Sequence, residues 1–146
     1  MFEYKYEMPC LTADMVIFRW NNKKIEFAVI ERQNDPFKGF WALPAGFCEK
    51  GETLKEAAIR EAFEEVGLTI DEKEVISVGL FDKPGRDPRG WVVTAAFLVF
   101  VPFNSELKSG SDAVRAEWFL IEDAFNGNIK LAFDHIQILE KACELI

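Results

Sequence analysis

Glu61, Glu64 and Glu65 stand close together in a stretch with a helical pattern. At about 100° per residue with Glu61 as origin, Glu65 falls at roughly 40° and Glu64 at roughly 300°, so three carboxylates share an arc of about 100°. Like charges this close repel by about 0.2–0.5 kcal/mol per exposed pair. Glu64 and Glu65 also fall in the last turn, where the helix dipole favours cations. Hard divalent ions such as Mg²⁺ or Mn²⁺ take carboxylate oxygens, keep several waters and then bind substrate phosphates, which is one physical reason for such a cluster. A solvated acidic helix face is the other. Ala58, Ala62, Val66, Ile59 and Phe63 occupy a second sector and are expected to be buried.

The surrounding residues favour the first reading. The stretch Gly46 to Leu68, GFCEKGETLKEAAIREAFEEVGL, resembles the Nudix box, G-x5-E-x7-R-E-U-x-E-E-x-G-U, with U a bulky aliphatic residue. Gly46, Glu52, Arg60, Glu61, Glu64, Glu65 and Gly67 occupy its fixed positions and Leu68 its final U. The one departure is Ala62 at the first U, a core-facing position. The resemblance implies an α/β fold of the α+β type: an α/β/α sandwich with a mixed β-sheet and a loop-helix-loop catalytic motif. It also implies that Glu61, Glu64 and Glu65 bind catalytic Mg²⁺ or Mn²⁺, with a backbone carbonyl near Ala45 or Gly46 as a further donor. Glu52 and Arg60 complete the catalytic set as a pair holding the loop against the helix. Water then attacks phosphorus in a diphosphate, and the group that deprotonates it varies across the family.

A second segment bears on the substrate. FDKPGRDPRGWVV places Lys83, Arg86 and Arg89 on tight turns of an otherwise acidic chain. Arg86 and Arg89 could grip phosphate oxygens bidentately, or simply pair with the aspartates beside them. This segment is similar to the corresponding loop of ADP-ribose pyrophosphatases, with Pro84 sixteen residues beyond Leu68. DPFKGFWALPAGF (Asp35 to Phe47), GSDA (Gly110 to Ala113) and LAFDH (Leu131 to His135) extend the similarity. It implies ADP-ribose as substrate, with AMP and ribose 5-phosphate as products, and Arg86, Arg89, Pro84 and Phe37 as substrate-binding residues. Asp112 stands in a loop where relatives place a water-orienting acid, and an ordinary turn aspartate is the other reading. Phe37, Phe40 and Trp91 could stack on adenine or pack in the core. His135 is expected to be structural, as the first residue of a capped helix, and Cys48 is assigned no role. Two alternatives stand beside this reading. One is a pyrophosphatase of (deoxy)nucleoside triphosphates or dinucleotide polyphosphates. The other is a non-catalytic ADP-ribose-sensing Nudix module, disfavoured by the chain's end at Ile146 and its acidity.

The elements that must position these groups follow from the pattern. Strands are expected at Leu11 to Trp20, Ile25 to Glu31, Trp41 to Leu43, Val75 to Phe81, Trp91 to Val101 and Ala116 to Leu120. The run VVTAAFLVFV reads as a central strand buried on both faces. A helix is expected from Thr53 to Val66, with Thr53 and Glu56 as a capping box and Gly67 as its stop. A second is expected from His135 to Leu145, capped by Asp134 and Gln137, with Ile136, Leu139, Cys143 and Ile146 facing the core. Length 146 and the absence of linkers or repeats suit one domain spanning residues 1–146. A net charge of −8 disfavours nucleic-acid and membrane-surface partners but not a small anionic substrate held through a metal. Three scattered cysteines and no secretory signal point to the cytoplasm. Fourteen phenylalanines and four tryptophans are more than so small a core needs. The family resemblance adds a homodimer.

Overall fold

A computed structural model describes all residues, 1–146. Seven strands form one mixed sheet in the order β3-β2-β1-β6-β5, with β4 added to β1 and β7 to β2. The strands are β1 (Cys10–Asn21), β2 (Lys24–Arg32), β3 (Trp41–Ala42), β4 (Ala45–Phe47), β5 (Ile76–Phe81), β6 (Val92–Phe100) and β7 (Ala113–Leu120). Only β1 and β6 run parallel. β1 and β2 are joined by a two-residue turn in which Asn22 takes φ 58°, a left-handed conformation that asparagine tolerates well.

The helices are α1 (Leu54–Val66), α2 (Ile121–Phe125) and α3 (His135–Cys143). They cover the two faces of the sheet and give an α/β/α sandwich. On one face α1 packs Ala57, Ala58, Ala62 and Val66 against Ala13, Met15 and Ile17 of β1. On the other α3 packs Ile138, Leu139 and Ala142 against Val16 and Phe18. Alternate residues of β1 thus enter different cores, so β1 is central and buried on both sides, as is β6.

The pattern errs at three places. Phe63 is exposed and Ile59 only half-buried, because the alanine stripe of α1 lets the backbone approach the sheet and leaves no room for large groups. The buried face of α3 is His135, Ile138, Leu139 and Ala142, turned from the expected stripe, and Ile146 is exposed. Asp134 makes no side-chain cap on α3, since its carboxylate is engaged elsewhere. β4, α2 and the 3-10 turn Glu72–Glu74 are too short to leave a periodic signal. No helix is long and apolar enough to cross a membrane.

The start of α1 shows the expected capping box. Thr53 Oγ1 accepts from Glu56 N–H at 3.1 Å, and Glu56 Oε1 accepts from Thr53 N–H at 2.8 Å. Gly67 closes the helix at φ 75°, donating its N–H to Phe63 O. Thr53→Ala is expected to lower stability by about 1 kcal/mol, read as a shifted urea midpoint at unchanged slope. An unchanged midpoint would mean that helix packing alone sets this end.

Candidate active site

β1 pairs with β2 over Phe18–Asn21 and with β4 over Thr12–Asp14, so the sheet splits along the middle of β1. A cavity of about 440 Å³ opens at the split. Box acids enter it from α1, and the loops around residues 86–89, 112 and 133–135 close its other sides.

Arg60 organises the box. Its Nε and Nη2 donate to Glu52 at 3.1 and 2.6 Å, and Nη2 also donates to the Phe47 carbonyl at 3.0 Å. Nη1 donates to Glu61 at 2.7 Å and to Glu64 at 3.2 Å. Hydrogen bonding from Arg60 holds Glu52 below the usual carboxylate range, and its bond to Glu52 keeps the guanidinium firmly charged. The loop and the helix are therefore tied by one fork of five bonds.

Glu65 differs. Burial first, and the neighbouring Glu61 charge second, push its carboxyl up to about 9. Burial also raises Glu61, against the pull of Arg60. Glu65 Oε2 is enclosed and has no hydrogen-bond partner. Gly46 lies so close to the Glu61 carboxylate that a Cβ there would overlap it. An orphaned buried oxygen, hard oxygen donors and a backbone cradle fit a hard divalent ion. In this arrangement no three acidic side chains converge on one point, because Arg60 holds Glu61 and Glu64. Glu64 is exposed enough to turn inward.

Asp112 lines the cavity on a loop docked to the end of α1. Lys108 N–H donates to Val66 O at 2.9 Å and Gly110 N–H to Glu65 O at 3.1 Å, so the loop caps the helix that carries the acids. Gly110 allows this approach, since a Cβ would strike the Glu64 carbonyl.

The arginines of the second segment are less free than expected. Arg86 lines the cavity, but its side chain is 5% exposed and bonds Asp134 bidentately at 2.8 and 2.6 Å. Arg89 forks onto Asp87, with Nη2 to Oδ2 at 2.7 Å, which is the local Arg–Asp pairing. Burial pushes Asp87 up, but the Arg89 bonds outweigh it and hold the group below its ordinary value. The Arg89 guanidinium is partly exposed and lies 5.6 Å from the Phe47 ring and 5.0 Å from Phe133. Pro84 is exposed, and neither it nor Phe37, Phe40 or Trp91 lines the cavity. Phe37 instead packs between Phe40 and Phe133 at 5.4 and 4.9 Å.

Arg32, Phe133 and Asp14 are among the lining residues that the sequence reading missed. Arg32 ends β2, lies 4.9 Å over Phe133 and spends only its Nε, on Pro36 O. Burial and the nearby Arg89 charge lower its pKa. Phe133 takes φ 52° at the cavity wall. Asp14 is buried to 2% exposure, and a lone acid within the apolar run TADMVIF was its available signal. His135 also lines the cavity, with Nδ1 accepting from Leu43 N–H at 3.0 Å.

A capped helix of clustered acids is thus clamped through Arg60 to a glycine-bearing loop at a split in the mixed sheet. Residues 8–142 match the NUDIX domain model. The chain belongs to the Nudix family and carries every fixed Gly, Glu and Arg of the hydrolase box, with Ala62 its one departure. It is 42% identical over 135 residues to a protein named ADP-ribose pyrophosphatase from Methanocaldococcus jannaschii, covering 92% of this chain and 73% of that one. It is 34% identical over 139 residues to the ADPR responsive transcriptional repressor NtrR of Acinetobacter baylyi, covering 94% of this chain but only 54% of the repressor. Among solved structures, the NUDIX domain of Shewanella oneidensis NrtR complexed with ADP ribose superposes with TM-score 0.85 at 26% identity, over 95% of this chain and 89% of that one. A bifunctional NMN adenylyltransferase/ADP ribose pyrophosphatase from Francisella tularensis, complexed with AMP and a Mn ion, gives 0.79 at 26% identity, over 97% and 43%.

Proposed function

We propose that this protein hydrolyses ADP-ribose to AMP and ribose 5-phosphate, using Mg²⁺ or Mn²⁺. The observation that carries the reading is one cavity joining the box acids to a cationic and aromatic wall of Arg32, Arg89 and Phe133. The 42% identity to an ADP-ribose pyrophosphatase supports the substrate.

Glu61, Glu64 and Glu65, with the Gly46 carbonyl, would hold the divalent ion. When bound there, such an ion supplies positive charge to the phosphoryl oxygens and activates the attacking water. Arg60 positions the acids through its fork, and Arg32 and Arg89 offer donors to diphosphate oxygens. Phe47 and Phe133 flank Arg89 on this wall and hold its guanidinium over their rings. The water oxygen forms the new bond to phosphorus, and the bond to the bridging oxygen breaks. Asp112 or a box glutamate takes the water proton. Arg86, committed to Asp134, acts on the loop and not on the phosphate.

Three further proposals attach to this reading. Free nucleotide is the partner and nucleic acid is not, given a net charge of −8. A cytoplasmic setting suits three unpaired cysteines. A homodimer would cover exposed Phe2, Tyr4, Tyr6 and Met8, which alternate with charged residues along the unpaired N-terminal arm.

The test is product analysis with ADP-ribose and Mg²⁺. AMP and ribose 5-phosphate in equal amounts are expected. Intact ADP-ribose alongside cleaved nucleoside triphosphates or dinucleotide polyphosphates would overturn the substrate. Tight binding without any cleavage would make the chain a sensor, the reading favoured by its 34% identity to an ADPR-responsive repressor.

A further inference from the structure

We infer that Phe133 is a positioning residue: its ring seats Arg32 and Arg89 as one clamp for two linked phosphates, whatever substituents those phosphates carry. This rests on the cleft taking a diphosphate, as the proposed activity requires.

The chain has six arginines, and five of them stand in ion pairs with carboxylates. Arg32 is the sixth, although acids outnumber bases by 25 to 17. It lines the cavity, spends its Nε on Pro36 O at 2.8 Å, and leaves Nη1 and Nη2 unpartnered yet not enclosed. Arg89 spends Nε and Nη2 on Asp87 and keeps Nη1 free. Burial first and the Arg89 charge second lower the Arg32 pKa, and Glu65 is the acid that most opposes them. Arg32 therefore stands within electrostatic reach of both Arg89 and the box. A half-buried cation beside a second cation is costly until an anion joins them. Two free forks facing the box acids suit phosphate oxygens.

The ring is what the two guanidiniums share. Arg32 lies 4.9 Å and Arg89 5.0 Å from the Phe133 centroid, within the range of cation–π attraction. Phe47 gives Arg89 a second support at 5.6 Å, whereas Arg32 has Phe133 alone. The main chain is strained to put the ring there: Phe133 takes φ 52°, a conformation that bulky side chains avoid. Its neighbours are pinned on both sides. Ala132 is buried and donates its N–H to Trp41 O at 2.8 Å. Asp134 is held bidentately by Arg86, and His135 Nδ1 accepts from Leu43 N–H at 3.0 Å. These bonds fix the backbone around Phe133 and so aim its ring at the two arginines.

Calorimetric titration in Mg²⁺ tests this with two probes. One is ADP-ribose whose bridging oxygen is replaced by a methylene group, which resists cleavage. The other is inorganic pyrophosphate, which has neither base nor sugar and is checked to be intact afterwards. Phe133→Leu should weaken both by about tenfold, and Phe133→Tyr, which keeps the ring, should restore both. Arg32→Gln should weaken both by about tenfold in the wild-type background and add little to Phe133→Leu, because the two act as a unit. With ADP-ribose as substrate, Phe133→Leu should raise KM by about tenfold while kcat changes by less than about threefold, a split that general loosening of the site would not give. Should Phe133→Leu unfold, pentafluorophenylalanine at position 133 keeps the shape, inverts the ring quadrupole and should give the same loss. Weakening of the ADP-ribose analogue alone, with pyrophosphate unaffected, would put the base or a sugar against the ring and overturns the inference. Additive effects of Arg32→Gln and Phe133→Leu overturn it as well. Unchanged affinity for both probes in Phe133→Leu overturns it and leaves the hydrolase reading intact. Phe133-dependent binding of pyrophosphate, without binding or cleavage of ADP-ribose, upholds the inference and removes the ADP-ribose reading. No binding of either probe overturns both.

Discussion

Glu65→Gln is expected to reduce ADP-ribose hydrolysis by about 10³-fold or more while leaving the protein folded. Glutamine keeps the volume of the side chain but removes the charge that a divalent ion requires. The same substitution should change stability in a pH-dependent way. The wild-type carboxyl, enclosed and beside Glu61, is pushed up to about 9 from an ordinary 4.5. Between these values the folded metal-free protein holds a proton that the unfolded chain has released. Its stability therefore falls as pH rises through that window. Glutamine does not titrate, so the variant's melting temperature should exceed that of metal-free wild type at pH 8.5 and converge with it near pH 5. Adding Mg²⁺ should raise the wild-type melting temperature more at pH 8 than at pH 6, because binding must displace that proton. Melting curves at four pH values, with EDTA and with Mg²⁺, check both statements. Parallel curves for the two proteins across pH would show that Glu65 is not held protonated.

The chemistry of this chain is more legible in its sequence than the shape of its pocket. Helix α1 is legible because its caps, alanine stripe and acids are all local, lying within one stretch from Thr53 to Gly67. β1 and β6 are legible because a strand buried on both faces must be apolar throughout. The links that shape the pocket run between distant parts of the chain. Thr94 reaches Asp14 across 80 residues and Arg86 reaches Asp134 across 48. No spacing rule connects such pairs. Asp134 shows the consequence, since a local cap competes with a bidentate arginine and the stronger, charge-assisted pairing wins. Arg89 shows the reverse: its aspartate is two residues away, and the local pairing forms. Of the two roles the sequence leaves open to Phe37, stacking or packing, the structure shows packing: its ring is held between two phenylalanines, and Phe133 is the one that reaches the cavity wall.

Gly46→Ala should separate activity from stability at this site. Gly46 sits opposite Ala13 in the β1–β4 ladder, and its backbone is outside the left-handed region, so alanine is conformationally permitted. The obstacle is the Glu61 carboxylate, whose Cδ and both oxygens occupy the space of the new methyl group. The carboxylate ends a flexible side chain and can swing aside, at a cost of about 1 kcal/mol or a few degrees in melting temperature. Swinging aside takes it out of the cradle and breaks its 2.7 Å bond with Arg60. A metal-binding oxygen displaced by about 1 Å is enough to lower kcat by about 10²-fold, since the reacting groups lose their alignment. Gly90→Ala is the matched control, because a Cβ there meets nothing within 4 Å. Rate and melting temperature measured together decide the matter. A slow but stable Gly46→Ala protein shows that the loop backbone exists to seat Glu61, and the effect should then not add to that of Glu61→Gln. A fast and stable one would remove Glu61 from the site.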